Sequence, residues 1–343
     1  MGIAANLPDQ VLLEYVLEID DGEVVFKDRE TIKNCWRIKS TNSNYAIWEY
    51  QGNLGLLQEL LEWRKLLAEK GFTDFLHFYK TKSEKNFVQV KQNGYYVTTW
   101  PAEGYAFFAP EKRSGLTKVV EALSRLRTAG KLLAKKKDTQ TEYLERAEVY
   151  WLKAYQERLT ELLIFYCYLQ EKRLANDFER LYVENFEDFY ERGQQAIQRM
   201  VLASSSSDNS GEEGFLIGNF LPENMLETET SIIFLNTAYG FKGLPIHDLS
   251  LFLKMYLPLQ KWDEELALNL LTRYQEKSTL DNQEKNLFLA QLSFPGRFCI
   301  YTQKYLDGTG EVSELAADFQ KYLYEIYWHD RCLEKLENRL WGE

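Results

Sequence analysis

The chain has 343 residues, of which 45% are apolar and 27% charged, a balance typical of a globular protein with two domains or one large two-lobed fold. Its net charge of -11 argues against nucleic acid or an anionic membrane as the main partner. The four cysteines and three histidines are widely scattered and include no CxxC pair, which argues against a disulfide framework or a zinc site.

The amino-terminal segment shows no pattern of a targeting signal. The stretch MGIAANLPDQVLLEY lacks a basic region followed by a long apolar core, and Asn6 stands where a myristoylation signal needs serine or threonine. No apolar run reaches membrane-spanning length. We therefore expect synthesis in a reducing cytoplasm.

Strand patterns dominate the first hundred residues. EVVFKD is followed by NCWRIKS, the polar turn TNSN and YAIWEY, and these short alternating segments predict antiparallel strands. NLGLLQELLEWRKLLAEKGF then repeats leucine at helical spacing and predicts one helix that stops at Gly71. In NFVQVKQNGYYVTTW, the pair Asn93-Gly94 lies between two β-rich runs and predicts a hairpin with a type I′ turn.

Helical patterns dominate after WPAEG, although short strands are predicted in FLIGNF and IIFLN. The basic residues of RLRTAGKLLAKKKD, from Arg125 to Lys137, favour a solvated basic surface over an anion site. ASSSSDNSGEEG is typical of a flexible polar loop. The last helix carries an apolar residue at every seventh position, at Phe319, Ile326, Leu333 and Leu340. Packing on its own lobe is favoured there over a seam for a partner.

Several motifs follow one another along the chain. WRIKS and YAIW are followed by TTWPAEGYAF and EALSRLRTAG, and later by LIGNFLPENML and IIFLNTAYGFKGLPIHDLSLFL. WRIKS and YAIW resemble two strands with W-K-V-K-T and Y-x-L-K, and TTWPAEGYAF resembles the hinge W-I-E-G-R. EALSRLRTAG resembles the helix L-x-x-L-H-x-A, with Arg127 in place of histidine. LIGNFLPENML resembles the catalytic loop H-G-D-x-x-x-x-N-x-L, and the last segment resembles the metal-binding segment I-D-F-D-x-x-x-x-x-x-P-x-x-D-L. The chain thus resembles the aminoglycoside-phosphotransferase and choline-kinase-like branch of the protein-kinase fold, and within it the spore-coat proteins of endospore-forming bacteria.

The resemblance implies an α+β, protein-kinase-like two-lobed fold. A small antiparallel β lobe with one helix is expected at residues 1–100, a hinge at 101–104, and a larger, mostly helical lobe at 105–343. The degenerate catalytic loop and metal-binding segment would then occupy residues 215–236 of the larger lobe.

The positions that carry charge in this fold are replaced. Phosphoryl transfer rests on a strand lysine, on metal ions, and on a carboxylate that accepts the hydroxyl proton. The resemblance puts Trp48, Asn219 and Phe234 at the lysine, base and metal-ligand positions. An indole carries no charge, an amide takes up no proton at neutral pH, and a phenyl ring cannot ligate Mg²⁺. Lys39 falls one strand too early to replace the lysine, and Asn224 is the one metal-side residue that stays.

Neighbouring residues leave alternatives open. Ile217 replaces the histidine of the catalytic loop, and Asn236 offers one neutral oxygen, which is too little for a magnesium site. Asn224 is either a turn residue or a remaining ligand, and the turn is favoured. Asp248 is expected to be a helix N-cap or a structural hydrogen-bond partner of the loop. The resemblance therefore implies no catalytic, cofactor-binding or metal-binding residue and no cofactor.

These replacements imply a catalytically inactive kinase-like protein with a structural or protein-interaction role, made in the cytoplasm and deposited in the spore coat. Other spore coat proteins are the expected partners, whereas nucleotide, nucleic acid and membrane are not. The 22 Tyr, 20 Phe and 8 Trp fit core packing first and adhesive contacts second. The alternatives are a small-molecule phosphotransferase, or a nucleotide or small-ligand binder, with a rearranged active site.

Overall fold

The computed structural model describes most of the chain. The described residues are 9–15, 35–39, 43–101, 105–134, 146–205, 213–235, 241–277 and 279–342. The predicted strand EVVFKD, most of the predicted hinge and Asn236 lie outside these ranges.

The described chain forms two compact units, each built from two stretches of sequence. Unit 1 comprises Met1–Leu144 and Glu213–Lys242, and unit 2 comprises Glu145–Glu212 and Gly243–Glu343. Unit 1 therefore contains both the β-rich first part of the chain and the segment that resembles a catalytic loop. The lobe boundary predicted near residue 100 remains a prediction.

The main sheet of unit 1 has five antiparallel strands. They are β1 (Cys35–Lys39), β2 (Asn44–Tyr50), β3 (Phe78–Tyr79), β4 (Val88–Val90) and β5 (Asn93–Thr99). β2 lies between β1 and β5, and both β3 and β4 pair with β5. The strands predicted in WRIKS and YAIWEY are thereby confirmed. The register sets Trp48 opposite Cys35 on one side and Tyr96 on the other, so Trp48 lies inside the sheet.

The predicted hairpin forms between β4 and β5, but the prediction of its turn residues is wrong. The turn consists of Lys91 and Gln92, and Lys91 has a left-handed φ of 55°. Asn93 and Gly94 are instead the first residues of β5. A Cβ on Gly94 would lie 2.6 Å from Cδ2 of Leu57. The glycine therefore makes room for a helix that packs on the strand, a requirement that comes from tertiary packing.

Three helices belong to unit 1, among the residues described. They are α1 (Asp9–Leu13), α2 (Leu54–Glu69) and α3 (Arg113–Ala134). The side-chain oxygen of Asn53 caps α2 by accepting the amide of Gly55 at 2.8 Å and that of Leu56 at 3.3 Å. The helix ends as predicted at Gly71, whose φ of 84° is a conformation that glycine adopts without strain.

Two smaller sheets complete unit 1. Their strands are β6 (Tyr105–Phe107), β7 (Gly214–Leu216), β8 (Met225–Thr228), β9 (Ile232–Phe234) and β10 (Phe241–Gly243). β8 pairs antiparallel with both β6 and β9, and β7 pairs with β10. The short strands predicted in FLIGNF and IIFLN are therefore confirmed as β7 and β9.

Unit 2 is helical over its described residues. Its helices are α4 (Ala147–Gln170), α5 (Asp177–Ser205), α6 (Ile246–Tyr256), α7 (Glu264–Gln275), α8 (Asn282–Ser293), α9 (Gly296–Leu306) and α10 (Val312–Trp341). Aromatic rings fill the core: the Phe298 ring lies 4.3 Å from Phe189 and 4.9 Å from Tyr182, centroid to centroid. Phe319 and Leu340 of α10 are buried, which agrees with packing of the last helix on its own unit. None of the described helices combines the length and apolarity needed to cross a bilayer.

Candidate functional site

Trp48, at the position predicted for the strand lysine, is part of the core of unit 1. Its side chain is 3% exposed, and its indole Nε1 donates a hydrogen bond of 2.9 Å to Oγ1 of Thr98. The indole stacks on Tyr96 with ring centroids 6.3 Å apart and meets Trp100 at 6.4 Å. The polar atom of this side chain is therefore satisfied inside the fold, and its rings are covered.

Helix α2 presents apolar side chains to the same region. In a kinase this helix carries a glutamate that pairs with the strand lysine. Here Leu57 and Leu61 pack with Trp48 in one buried group, the tryptophan cluster. Its buried members are Cys35, Ala46, Trp48, Tyr50, Leu57, Leu61, Leu76, Tyr96, Trp100, Leu226 and Leu235. Trp48, predicted to stand at the lysine position, thus has apolar neighbours that suit an indole and would not suit an ammonium group.

The loop that resembles a catalytic loop follows β7. Gly218 has a φ of 65°, a left-handed conformation that favours glycine and turns the chain after the buried Ile217. Asn219 is half-buried, and its side-chain oxygen accepts the amide of Leu221 at 3.4 Å. This bond is the short local turn that asparagine commonly makes. The amide thus supports the loop, and it offers no carboxylate to accept a substrate proton.

Asn224 holds the loop against β9 through its backbone. It is the last residue of a short 3₁₀ turn, and its carbonyl oxygen accepts the amide of Leu235 at 2.8 Å. Its own amide donates to the carbonyl of Leu221 at 2.9 Å. These bonds fit the favoured interpretation of Asn224 as a turn residue, and its lack of a ligand role stays a prediction.

Phe234, at the position predicted for the metal-binding aspartate, is the last residue of β9 and is 1% exposed. It belongs to a second group of rings, the phenylalanine cluster, which consists of Phe72, Phe75, Phe215, Phe220 and Phe234. The Phe234 ring lies 6.2 Å from Phe75 and 6.3 Å from Phe220. Phe220 directly follows Asn219, so the base and metal positions of the loop both border a dry aromatic group.

A polar network that the sequence analysis missed fixes the start of β9. The Asp74 carboxylate accepts hydrogen bonds from Ser231 Oγ at 2.6 Å and from Arg125 Nε at 2.8 Å. Arg125 also donates to Ser231 Oγ at 3.0 Å. The three residues lie on separate segments, and no local spacing signals their contact. The predicted solvated basic surface is wrong at Arg125, which pairs with Asp74, and at Arg127, which is buried, whereas Lys135, Lys136 and Lys137 lie outside the described residues.

The HDL segment begins α6 in unit 2. Of the two roles predicted for Asp248, the helix N-cap is wrong, since Pro245 occupies the N-cap and Asp248 is buried in the first turn. Its role as a structural hydrogen-bond partner of the loop stays a prediction. A carboxylate in the first turn still interacts favourably with the positive end of the helix dipole.

His247 joins a buried polar group of unit 2. Its Nδ1 lies 2.6 Å from the side-chain nitrogen of Gln291, and its Nε2 lies 3.3 Å from Oε1 of Glu148. The amide of Leu244 donates to the same oxygen at 2.8 Å. Burial works to raise the pKa of Glu148, but the contacts with His247 and Leu244 outweigh it and hold that pKa below its usual range. No pattern in the sequence indicated a role for Glu148.

The lowered pKa of Glu148 predicts how the stability of the fold changes at acid pH. A carboxyl group whose pKa is lower in the folded state stabilises the fold above its unfolded pKa, and this contribution disappears as the pH falls through the folded pKa. Glu148→Gln should therefore lower the free energy of unfolding at pH 7 by about 1–3 kcal/mol and should flatten its decline below pH 4.5. Urea unfolding at several pH values measures both effects. Glu157→Gln, at an exposed position, is the matched control. The prediction would be refuted if the free energy of unfolding fell equally steeply below pH 4.5 in Glu148→Gln and in the parent chain.

The residues at these positions do not fit a magnesium–nucleotide complex. Mg²⁺ needs oxygen ligands and the transferred phosphate needs cations, whereas Trp48 and Phe234 offer buried rings. Over the described part of the chain, no group of three or more His, Cys, Asp or Glu side chains is placed to hold a metal ion. No step of phosphoryl transfer can be assigned to Trp48, Asn219 or Phe234.

Solved structures of several phosphotransferases resemble this chain. An aminoglycoside phosphotransferase from Alicyclobacillus acidocaldarius subsp. acidocaldarius DSM 446 has a TM-score of 0.78 at 17% identity and covers 100% of this chain and 98% of its own. Spectinomycin phosphotransferase APH(9)-Ia, in complex with ADP and spectinomycin, has a TM-score of 0.57 at 12% identity, with 96% and 95% covered. Amicoumacin kinase hAmiN has a TM-score of 0.52 at 11% identity, with 96% and 92% covered. These likenesses confirm the predicted α+β kinase-like fold.

Comparison of the sequence with family models assigns the chain to a narrower group than its fold does. No curated protein matches the chain at a significant level. A family model described as "Spore coat putative kinase YutH", in contrast, matches residues 23–336. This match spans most of the chain and agrees with the resemblance to spore-coat proteins that the motifs predicted. The protein therefore belongs to the spore-coat YutH family of kinase-like proteins.

Proposed function

We propose that this protein is a catalytically inactive kinase-like protein with a structural or protein-interaction role in the spore coat. The observation that carries the proposal is the burial of aromatic rings where phosphoryl transfer needs charge. Trp48 and Phe234 each belong to a buried apolar cluster. A lysine or a metal ligand acts by reaching the phosphates of a bound nucleotide, and a buried ring has neither the charge nor the access for this role.

The magnitude of the missing catalytic contributions supports inactivity. A general base typically contributes about 10² to 10⁴ in rate, and Asn219 cannot serve as one. Electrostatic stabilisation by metal and lysine is usually the largest single contribution, and both of those positions carry rings. Such contributions are not additive, but the loss of all three leaves no charged group of the usual machinery in place.

Membership of a spore coat family supports location in the coat, and we propose other coat proteins as the partners. Exposed aromatic rings of unit 2 offer contact area for such partners. On α10, Tyr324 and Tyr327 are 72% and 58% exposed, and Trp328 is 49% exposed. Tyrosine and tryptophan are enriched in protein interfaces because they bury a large area and keep a polar group. Nucleic acid and anionic membranes are not proposed as partners, because the chain carries a net charge of -11.

A thermal-shift titration with ATP and GTP, each with and without Mg²⁺, tests the proposal. We expect no change in melting temperature at millimolar nucleotide. A ligand specific for the folded state would add about 2.7 kcal/mol of stability at a hundredfold excess over its Kd. An active kinase of the same fold, titrated in parallel, is the control for the assay.

Two outcomes would overturn the proposal in different ways. A Mg²⁺-dependent shift without turnover would identify a nucleotide binder. Phosphate transfer to a small hydroxylated or amino compound would identify a phosphotransferase with a rearranged active site.

A further inference from the structure

A groove of about 670 Å³ lies in unit 1 between the C-terminal half of α2 and the segment that leads into β3. Its exposed lining is mostly apolar and includes the rings of Phe72, Phe75, Phe78 and Tyr79 beside charged side chains. The volume falls in the range of sites that hold small organic ligands, which are mostly apolar with a few polar groups. The groove is therefore large enough and apolar enough to take the body of a small molecule.

Arg64 lines this groove and is the polar group that needs an explanation. It is 3% exposed, and its Nη2 donates a hydrogen bond of 2.6 Å to the carbonyl of Leu76. Its guanidinium carbon lies 5.1 Å from the centroid of the half-buried Phe75 ring. Over the described residues, Nε and Nη1 meet no hydrogen-bond acceptor, and no carboxylate pairs with the side chain. Burial lowers the pKa of Arg64, although Tyr96 works in the opposite direction.

The two lysines at the groove differ from Arg64 in having acidic partners. Lys80 pairs with Glu84 at 2.8 Å, and Lys65 lies 3.9 Å from Glu69. Their charges are thus balanced locally, whereas the charge of Arg64 is balanced by no described side chain. A buried guanidinium without an acceptor is unfavourable, and its unmade hydrogen bonds become favourable once an anion supplies the acceptor.

We propose that this groove binds a small organic anion, a carboxylate on an aromatic body, with Arg64 pairing with the carboxylate. The aromatic walls cover the apolar body of the ligand. Nε and Nη1 are shielded from water in this structure, so the pairing requires a local rearrangement that opens Arg64 to the groove that it lines. Arginine presents its donors in a planar fork that matches a carboxylate, which makes the pairing both strong and directional. Trp48, Asn219 and Phe234 do not line this groove, although its lining residue Phe75 contacts Phe234, and binding of an anion here goes beyond the proposed function.

Ligand-observed saturation-transfer NMR on the full chain, with phenylacetate as the probe, tests the site. Phenylacetate should show saturable binding. 2-Phenylethanol, which has the ring but no charge, and acetate, which has the charge but no ring, should each bind at least about tenfold more weakly. Arg64→Met keeps an apolar side chain of similar length and should lose at least about tenfold in affinity for phenylacetate. Arg158→Met, which removes an exposed arginine of unit 2, is the matched control and should bind like the parent chain.

A second variant keeps the test decisive if Arg64→Met does not fold. Ala68 is exposed on α2 and lines the groove, so Ala68→Trp should fill the space, leave Arg64 in place and abolish binding. Absence of saturable phenylacetate binding to the parent chain would overturn the proposal. Equal binding by phenylacetate and 2-phenylethanol, or undiminished binding by the folded Arg64→Met or Ala68→Trp variant, would overturn it as well.

Discussion

Phe234→Asp, which restores the residue expected of a metal-binding site, should lower the free energy of unfolding by about 4 kcal/mol or more. The substitution removes a buried ring from contacts with Phe75 and Phe220 and leaves a carboxyl group in their place. A buried carboxylate without a partner is costly, so the new side chain would shift its pKa upward and stay neutral in the fold. Urea unfolding followed by circular dichroism measures the loss.

Phe234→Leu is the control for the ring itself. It keeps an apolar side chain of similar volume and should cost only about 1 kcal/mol. We also expect Phe234→Asp to gain no Mg²⁺-dependent nucleotide binding, because Trp48 and Asn219 are unchanged. An aspartate variant as stable as the leucine variant would show that this position is not part of a dry core, and a gain of Mg²⁺ binding would show a latent metal site.

Trp48→Lys should be the second strongly destabilising substitution, with a loss of about 4 kcal/mol. The change removes the stacking with Tyr96 and the hydrogen bond to Thr98. It also brings an ammonium group into a cluster whose buried members are apolar or aromatic. The aliphatic stem of lysine can pack there, but its charge has no carboxylate in the cluster to pair with. Urea unfolding, with near-ultraviolet circular dichroism as a probe of ring packing, measures this effect.

Trp48→Phe separates the two contributions of the tryptophan. It keeps a ring in the tryptophan cluster and loses the indole donor to Thr98, so it should cost about 1–2 kcal/mol. A lysine variant no less stable than the phenylalanine variant would mean that the side chain at this position can reach water. That result would reopen the possibility of a nucleotide site at β2.

Local patterns were sufficient to predict many elements of the fold. Alternation in WRIKS and YAIWEY predicted β1 and β2, and leucine spacing with a terminal glycine predicted α2 and its end at Gly71. These features depend on residues close in sequence, where periodicity and capping act directly. The hairpin turn shows the limit of this approach. Asn93-Gly94 has the composition of a turn, but Gly94 lies in β5, where the absence of a Cβ leaves room for Leu57 of α2.

For the candidate site, too, some features could be predicted from the sequence and others could not. Motif order predicted that Trp48, Asn219 and Phe234 stand at the lysine, base and metal-ligand positions, and these residue types carry no charge. Sequence could not show that Asp74, Arg125 and Ser231 meet, because Arg125 lies 51 residues from Asp74 and 106 from Ser231. Arg64 was likewise invisible as a special residue, since an arginine on an amphipathic helix is normally solvated.

The residue types at the predicted lysine, base and metal-ligand positions could be read from the sequence, because charge, proton affinity and metal-ligand chemistry belong to the side chain wherever it lies. The fold class was implied by the resemblance of the chain's motifs to those of a known family. That Trp48 and Phe234 are core residues whereas Asn219 is half-buried could be learned from the tertiary structure alone, since burial depends on which distant segments pack together. Trp48 lies with Leu226 and Leu235, and Phe234 lies with Phe75, although each pair is distant in sequence. The reason is physical: the hydrophobic effect acts on surface removed from water, and contacts between remote segments determine which surface that is.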